Sequence, residues 1–249
     1  MAAVLVGEVG SVAEILGVGS AAAEVAVAVA VERQVVGEIV NAQKFFTQEE
    51  KDRIQHAVDA AEQHTSGEIV PMIVGASARY TEVELGGLIV GLLLGTIGGL
   101  LWADPWAMVQ MQLAWPLLGA GFGFILCRIP AIKRRLIPKS RIAEAVHSRS
   151  LAAFTAHDLH DTRAHTGILI LASLLEHRVE VLADRGINEK VQSGTWDEVV
   201  KLLTSGLKSG DGCAAFCRVI ECCGEILATY FPRPADDRDE LANKLVTEE

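Results

Sequence analysis

Two uncharged stretches in the middle of the chain decide its architecture: LGGLIVGLLLGTIGGLLWA at residues 85–103 and PWAMVQMQLAWPLLGAGFGFILC at residues 105–127. Only Asp104 separates them. A helix needs about 20 mostly apolar residues to cross the ~30 Å hydrocarbon core of a bilayer, and each stretch approaches or exceeds that length. We therefore expect two transmembrane helices, 85–103 and 105–128, joined by a turn at Pro105 and Trp106. A buried helical hairpin in a soluble core is the alternative, which the length and glycine content disfavour.

Glycines recur along both predicted spans. In the first span they stand at every fourth position, so they share one face of the helix. Without side chains on that face, another backbone can approach closely enough for dispersion forces to drive association in lipid. We expect the two spans to pack on each other, or on a second copy of the chain. The predicted packing residues are Gly87, Gly91, Gly95, Gly99, Gly119 and Gly123.

Basic residues flank only one side of the predicted hairpin. The turn between the spans has neither Lys nor Arg, and positive charge is retained on the cytoplasmic side during insertion. We therefore expect an integral membrane protein of the bacterial inner-membrane type, with both termini in the cytoplasm. The basic run is also placed to contact anionic lipid headgroups. It consists of Arg128, Lys133, Arg134, Arg135, Lys139 and Arg141.

Net charge argues against nucleic acid as a partner. The chain carries a formal charge of −10, and its basic residues cluster beside the predicted membrane segment. The expected partners are the lipid bilayer and either another membrane protein or a second copy of this chain.

Four of the five cysteines lie close together, at positions 213, 217, 222 and 223. On a helix Cys222 points away from Cys213 and Cys217, so the four cannot converge on one tetrahedral zinc ion. We interpret them as reduced, partly buried helix cysteines of a cytoplasmic domain.

The segments on either side of the hairpin have helix and strand patterns. Residues 1–43 form an Ala- and Val-rich extension, which we expect to be loosely ordered or helical. Within 44–80, Thr47 and Glu50 form a capping box that opens an amphipathic helix. A strand follows at 68–74, where Pro71 requires an edge position or a bulge.

The second soluble segment, 139–231, contains the most strand-like part of the chain. Residues 167–175 are apolar on both faces and predict a central strand, and 179–183 return as its hairpin partner. Thr195 with Glu198 predicts a second capping box and a helix, a last helix ends near Tyr230, and 232–249 read as a charged tail. The predicted fold is α/β: a small mixed sheet covered by helices, with the transmembrane hairpin inserted into it.

Four segments resemble the TPM domain, a family named after a thylakoid lumen protein, a photosystem II repair protein and a modulator of the levamisole receptor, with a bacterial branch of membrane proteins. The segments are FFTQEEK at 45–51, TSGEIVP at 65–71, TGILI at 166–170 and EHRVEVLADRGI at 176–187.

The resemblance implies an α/β/α sandwich and a membrane-linked role in assembling or repairing protein complexes. For some plant members it also implies acid phosphatase activity and calcium binding. The chain departs from the commoner pattern after the second glycine, where Asn188, Glu189 and Lys190 replace an acidic residue.

Two functions follow as hypotheses: a non-catalytic membrane adaptor, and a metal-dependent phosphatase acting near the bilayer. The first is preferred because the chain has no P-loop, Gly-x-Ser-x-Gly or Cys-x5-Arg motif. For the second, polar residues lie before the central strand and after its hairpin partner, at one edge of the sheet. Asp158, Asp161 and Asp184 would ligate Ca²⁺ or Mg²⁺, and His165 and Arg185 would bind phosphate.

Overall fold

A computed structural model describes residues 41–101, 109–162, 165–192, 194–234 and 243–248, without the side chains of residues 109–113. The predicted extension falls outside these residues except for 41–43, and the predicted turn at Pro105 and Trp106 falls outside them too. The domain begins earlier than position 44, because Ala42 is fully buried in the first helix.

Nine helices and four strands form within the described part of the chain. The helices are α1 (Ala42–Phe45), α2 (Gln48–Glu62), α3 (Thr81–Leu101), α4 (Val109–Arg128), α5 (Pro130–Leu136), α6 (Lys139–Ala156), α7 (Arg185–Asn188), α8 (Thr195–Ser209) and α9 (Gly212–Tyr230). The strands are β1 (Glu68–Val74), β2 (Gly167–Ser173), β3 (Arg178–Ala183) and β4 (Val246–Glu248).

The four strands form one mixed sheet in the order β3-β2-β1-β4. β1 pairs in parallel with β2 and with β4, whereas β2 and β3 form an antiparallel hairpin. The predicted α/β class and mixed sheet are thus confirmed. The crossover from β1 to β2 contains α3, α4, α5 and α6, so the apolar helices are inserted between two neighbouring strands.

β4 was missed, because residues 232–249 were interpreted as a charged tail. Glu248 holds this short strand in place: its carbonyl accepts a hydrogen bond from the Gly75 N–H at 2.9 Å, and its carboxylate pairs with Arg149 of α6. A three-residue strand with a single apolar side chain has no alternating pattern that would reveal it.

Side chains of β1 and β2 alternate between two cores, which lie on opposite faces of the sheet. Ile69, Ile73, Ile168 and Ile170 pack with residues of α2, α8 and α9. On the other face, residues such as Met72 pack with residues of α6. Helices therefore cover both faces of the sheet, and β2 is central as predicted.

Pro71 lies inside the sheet without leaving a hydrogen bond unmade. Backbone N–H groups at even positions of β1 point toward β2, as the Glu68 N–H does in donating to Thr166. Pro71 faces the other side, and β4 begins only opposite Met72. Two residues earlier on that side, the Ile69 N–H donates to the carboxylate of Glu62 at 2.8 Å. β1 is therefore an interior strand and not the predicted edge or bulge, but Pro71 is tolerated because β4 has not yet begun opposite it and no strand requires a donor there.

Helix starts agree with the sequence in one case and differ in another. Thr47 and Glu50 make both hydrogen bonds of the predicted capping box. The capping box predicted at Thr195 is wrong: α8 begins at Thr195, its N-cap is Gly194 in the left-handed region, and the Thr195 hydroxyl donates to Gln192. Because glycine tolerates positive φ at little cost, Gly194 turns the chain into the helix without a side-chain cap.

Candidate functional site

The predicted packing glycines lie where α3 and α4 meet. A Cβ atom at Gly91 would collide with the carbonyl oxygen of Gly119, and one at Gly87 would lie 2.6 Å from the carbonyl oxygen of Gly123. Further along, Gly95 and Gly99 face Trp115. The two helices thus approach each other backbone to backbone. Glycines on other faces, namely Gly86, Gly98 and Gly121, have open space where a Cβ would stand.

Large apolar side chains cover the outside of this helix pair. α3 is long and apolar enough to cross a membrane, and most of it is exposed, unlike the buried core helix of a soluble protein. The part of α4 with described side chains is long and apolar enough to cross a membrane only if α5 is counted with it, and the two helices are bent by 89° from each other. Side chains more than half exposed are Leu85, Ile89, Val90, Leu93, Leu94, Ile97, Leu100, Leu101, Leu117, Leu118 and Phe122.

A buried hydrogen-bond network connects the start of α3 to the sheet. Tyr80, the residue before α3, is 2% exposed, and its hydroxyl donates to the Glu176 carboxylate at 2.8 Å. The same carboxylate accepts from the Ser77 N–H and from the hydroxyl of Ser173, the last residue of β2. Burial is the main cause that raises the pKa of Tyr80, and the hydrogen bond to Glu176 raises it further. The hydroxyl therefore stays protonated and donates at neutral pH.

A second contact connects α5 to the start of α3. The Lys133 ammonium lies 2.9 Å from the Glu84 carboxylate and 2.7 Å from the carbonyl oxygen of Arg79. Its side chain is only 13% exposed, so solvent screens the pair less than a surface ion pair. We call this contact and the Tyr80–Glu176 network together the hairpin join, because they hold α3 and α5 to each other and to the sheet.

The polar cluster predicted as a metal and phosphate site is only partly brought together. His165 Nδ1 lies 3.2 Å from the Asp184 carboxylate, across the start of β2 and the end of β3. Asp184 also accepts a hydrogen bond from the Arg185 N–H and so caps α7, while the Arg185 side chain points to Glu189 at 3.6 Å. His165 also lies 3.2 Å from the carbonyl oxygen of His160.

The two other predicted ligands lie in the loop after α6. Asp158 has a positive φ of 54°, and its carbonyl accepts a hydrogen bond from the Asp161 N–H at 2.9 Å. Among the described residues, no three His, Cys, Asp or Glu side chains lie close enough together to hold a metal ion. The site therefore remains a prediction.

An acidic cleft of about 190 Å³ was not predicted from the sequence. It opens beside the first residues of β1, which β4 does not pair with. Glu62 and Glu68 lie there and are each only 7% exposed. Arg233 donates to the backbone carbonyl of Glu62, and Asn243 donates to the Asp59 carboxylate at 2.8 Å. The only trace of the cleft in the sequence is that Glu62 and Glu68 stand on either side of the turn from α2 to β1. Glutamates beside a turn are usually exposed to solvent, so this pattern did not suggest a cleft.

The cysteines form no disulfide, and burial raises the pKa of three thiols of α9, those of Cys217, Cys222 and Cys223. Burial raises the pKa of Cys223 to about 12, and burial together with neighbouring Cys213 raises that of Cys217 to about 11. These thiols are protonated at neutral pH and therefore weak nucleophiles. In the helix pair, Cys127 is buried beside Gly87.

Replacing Gly91 and Gly95 together with leucine should separate α3 from α4, because each new side chain meets backbone. Cys127 should then become accessible, and its alkylation rate should rise by about tenfold or more, the change that corresponds to about 1.4 kcal/mol. The rate is measured on the full chain by peptide mass spectrometry after timed treatment with N-ethylmaleimide.

The matched control is Gly86→Leu with Gly98→Leu, which adds the same side chains to the same helix where there is open space. This control should leave the alkylation rate unchanged. Equal rates for both double variants would show that the glycine contacts do not hold the helices together.

Comparison with known proteins supports the fold and no more. No family model and no curated protein matches the chain. The chain is similar to the BA42 protein of the psychrophilic bacterium Bizionia argentinensis, solved by NMR, with a TM-score of 0.51 and 22% sequence identity. The similarity covers 82% of this chain and 95% of BA42. A likeness at this level of identity shows a shared fold and leaves function open.

Proposed function

We propose that this chain is a membrane-anchored α/β domain of the TPM type that acts as a non-catalytic adaptor or assembly factor for membrane protein complexes. The observation that carries the proposal is the hairpin join. An adaptor must present a soluble surface at a fixed orientation to the bilayer, and a flexible tether would not do so.

The two contacts of the join support this reading by their position. Tyr80, just before α3, is joined to Glu176 and Ser173 at the end of the central strand, and Lys133 after the helix pair is joined to Glu84 near its start. Both contacts involve a charged group with little exposure to water, where hydrogen bonds are stronger and more costly to break. Hairpin and sheet would therefore move as one body.

The apolar outer surface of α3 and α4 supports the bilayer as a partner, with another membrane protein or a second copy of the chain beside it. An exposed apolar surface of this extent is costly in water, whereas lipid tails or a neighbouring helix remove that cost. The basic residues after α4 support a cytoplasmic location for both ends of the hairpin.

Weakening the join should weaken partner binding. Tyr80→Phe removes one hydrogen bond to a buried carboxylate and should lower the free energy of unfolding by about 1.5–3 kcal/mol. After cross-linking in cells and affinity capture in mild detergent, we expect Tyr80→Phe to recover several-fold less of any partner found with the wild type.

The matched control is Tyr230→Phe, because Tyr230 is the other tyrosine of the chain and is 40% exposed. It should behave like the wild type. Undiminished recovery by Tyr80→Phe would contradict a role for the join, and phosphoester turnover by the purified wild type would contradict a non-catalytic function.

The proposed topology has its own test. Protease added to sealed right-side-out vesicles should leave 44–74 and 166–230 intact, because both segments would lie inside. The same protease should digest both in inverted vesicles. Cleavage of either segment in right-side-out vesicles would overturn the cytoplasmic assignment.

A metal-dependent phosphatase is the second candidate, and the observation that favours it is the contact between His165 and Asp184. A histidine held by a carboxylate is a common arrangement for binding or protonating a phosphate ester. Asp158 and Asp161 would have to approach Asp184 on ion binding, with water and carbonyl oxygens completing the six to eight ligands that calcium takes.

Ion binding should be weak if this site is used, with a dissociation constant of roughly 10⁻⁴–10⁻³ M. Calorimetry of the detergent-solubilised protein with Ca²⁺ or Mg²⁺ should show heat that Asp161→Asn with Asp184→Asn abolishes. Asp197→Asn with Asp211→Asn, the same change of charge elsewhere, should keep it. Absence of heat with the wild type, or identical heat with both double variants, would eliminate the site.

A further inference from the structure

The basic run after the hairpin divides into residues bound within the protein and residues that face outward. Lys133 is held by Glu84, and Arg141 lies between Glu82 and Glu144 at 3.6 and 3.5 Å. Arg134 and Arg135 are exposed, and neither makes an ion pair within the described residues. Two arginines of α5 thus carry charge that the rest of the described protein does not neutralise.

The direction of α5 suits a membrane surface. Ile129 has extended dihedral angles and Pro130 opens the helix, which produces the 89° bend from α4. If α4 crosses a bilayer, α5 lies in the plane of its surface. Helices in that position carry an apolar stripe toward the acyl chains and basic residues at the headgroups.

The residues of α5 have that arrangement. Ile132 and Leu136 stand one turn apart on the same face, and Leu136 is 56% exposed although it is a large apolar residue. Arg135 flanks this stripe, and Arg134 lies on the opposite, polar face of the helix. Lys133 lies on the side that faces α3. An exposed leucine on one face, with exposed arginines on the flank and on the opposite face, is the pattern of a helix that lies at a lipid interface.

Neighbouring groups extend the positive charge. At the end of α4, Arg128 lies over the ring of Phe124, with 5.7 Å between the guanidinium carbon and the ring centre. At the turn between β2 and β3, burial and then the charges of Arg134 and Lys208 lower the pKa of His177. Arg128, Arg134 and Lys208 therefore add positive charge near α5, next to the glutamates that pair with Lys133 and Arg141.

We propose that α5 lies in the cytoplasmic membrane surface and binds anionic phospholipid headgroups through Arg134 and Arg135, with Leu136 among the upper acyl carbons. The proposal rests on the membrane anchoring proposed above. Guanidinium groups suit phosphate because they offer paired N–H donors and are more weakly hydrated than an ammonium group.

The test is a titration of the full chain in detergent micelles with two short-chain lipids, phosphatidylglycerol and phosphatidylcholine with the same acyl chains, followed by native mass spectrometry. The wild type should bind phosphatidylglycerol in preference. Arg134→Gln with Arg135→Gln should weaken that binding by about 30-fold, because each arginine near an anionic surface contributes about fivefold. Binding of phosphatidylcholine should stay unchanged.

Two further variants make the result specific. Arg53→Gln with Arg218→Gln removes the same charge from exposed arginines of α2 and α9, and should bind as the wild type does. Arg134→Lys with Arg135→Lys keeps the charge, and should retain most of the preference for phosphatidylglycerol. Equal loss in the α2 and α9 variant would overturn the proposal, because net charge alone would then explain the binding.

The headgroup without acyl chains, glycerophosphoglycerol, should bind far more weakly than the lipid. Equal binding would indicate a site for free anions and would overturn the proposal.

Carbonate extraction of cell membranes separates the lipid-binding proposal from the membrane-anchoring proposal. If all variants stay in the membrane but α5 substitutions leave lipid preference unchanged, the lipid proposal fails and anchoring stands. If the wild type is extracted, both fail.

Discussion

Parallel pairing of β1 with β2 is the constraint on which the rest of the structure depends. Parallel neighbours cannot be joined by a tight turn, so a long crossover must connect them. In this chain the crossover contains the apolar helix pair. Register along all seven residues of both strands fixes where the crossover leaves β1 and where it returns at Gly167. The hairpin join then completes the connection, since Ser173 ends β2 and Glu176 lies in the turn that follows.

Much of this fold is predictable because its signals are local. The apolar runs, the fully buried pattern of β2 and the Thr47 capping box each follow from residues near one another in sequence. What the sequence did not reveal depends on distant partners. Val246 and its neighbours form a strand only because Met72–Val74 offer an edge, and α5 separates from α4 through the backbone at Ile129. At Thr195 the local pattern placed the start of the helix within one residue but gave the wrong cap, since Gly194 takes the cap position.

The candidate sites divide in the same way. Asp161 or His165 was expected to approach Asp184, because the β2–β3 hairpin brings its open ends together, and it is His165 that lies in contact with Asp184. The role of Asp184 as the cap of α7 could not be read from that argument, and a carboxylate that holds a helix has less freedom to ligate an ion. Tyr80, Glu62 and Glu68 were not identified, because burial of a polar side chain follows from tertiary packing and leaves no periodic trace.

The order in which the strands are synthesised follows from their order in the sheet. All seven residues of β1 are buried, yet both strands that pair with it, β2 and β4, come after the apolar helices in the chain. At about 5–20 residues per second, translation from the end of β1 to the start of β2 takes roughly 5–20 s. During that interval β1, an apolar segment that is prone to aggregate, has no strand to pair with. If the helix pair enters the bilayer as it is made, the anchor is in place first, and the domain matures at the membrane surface.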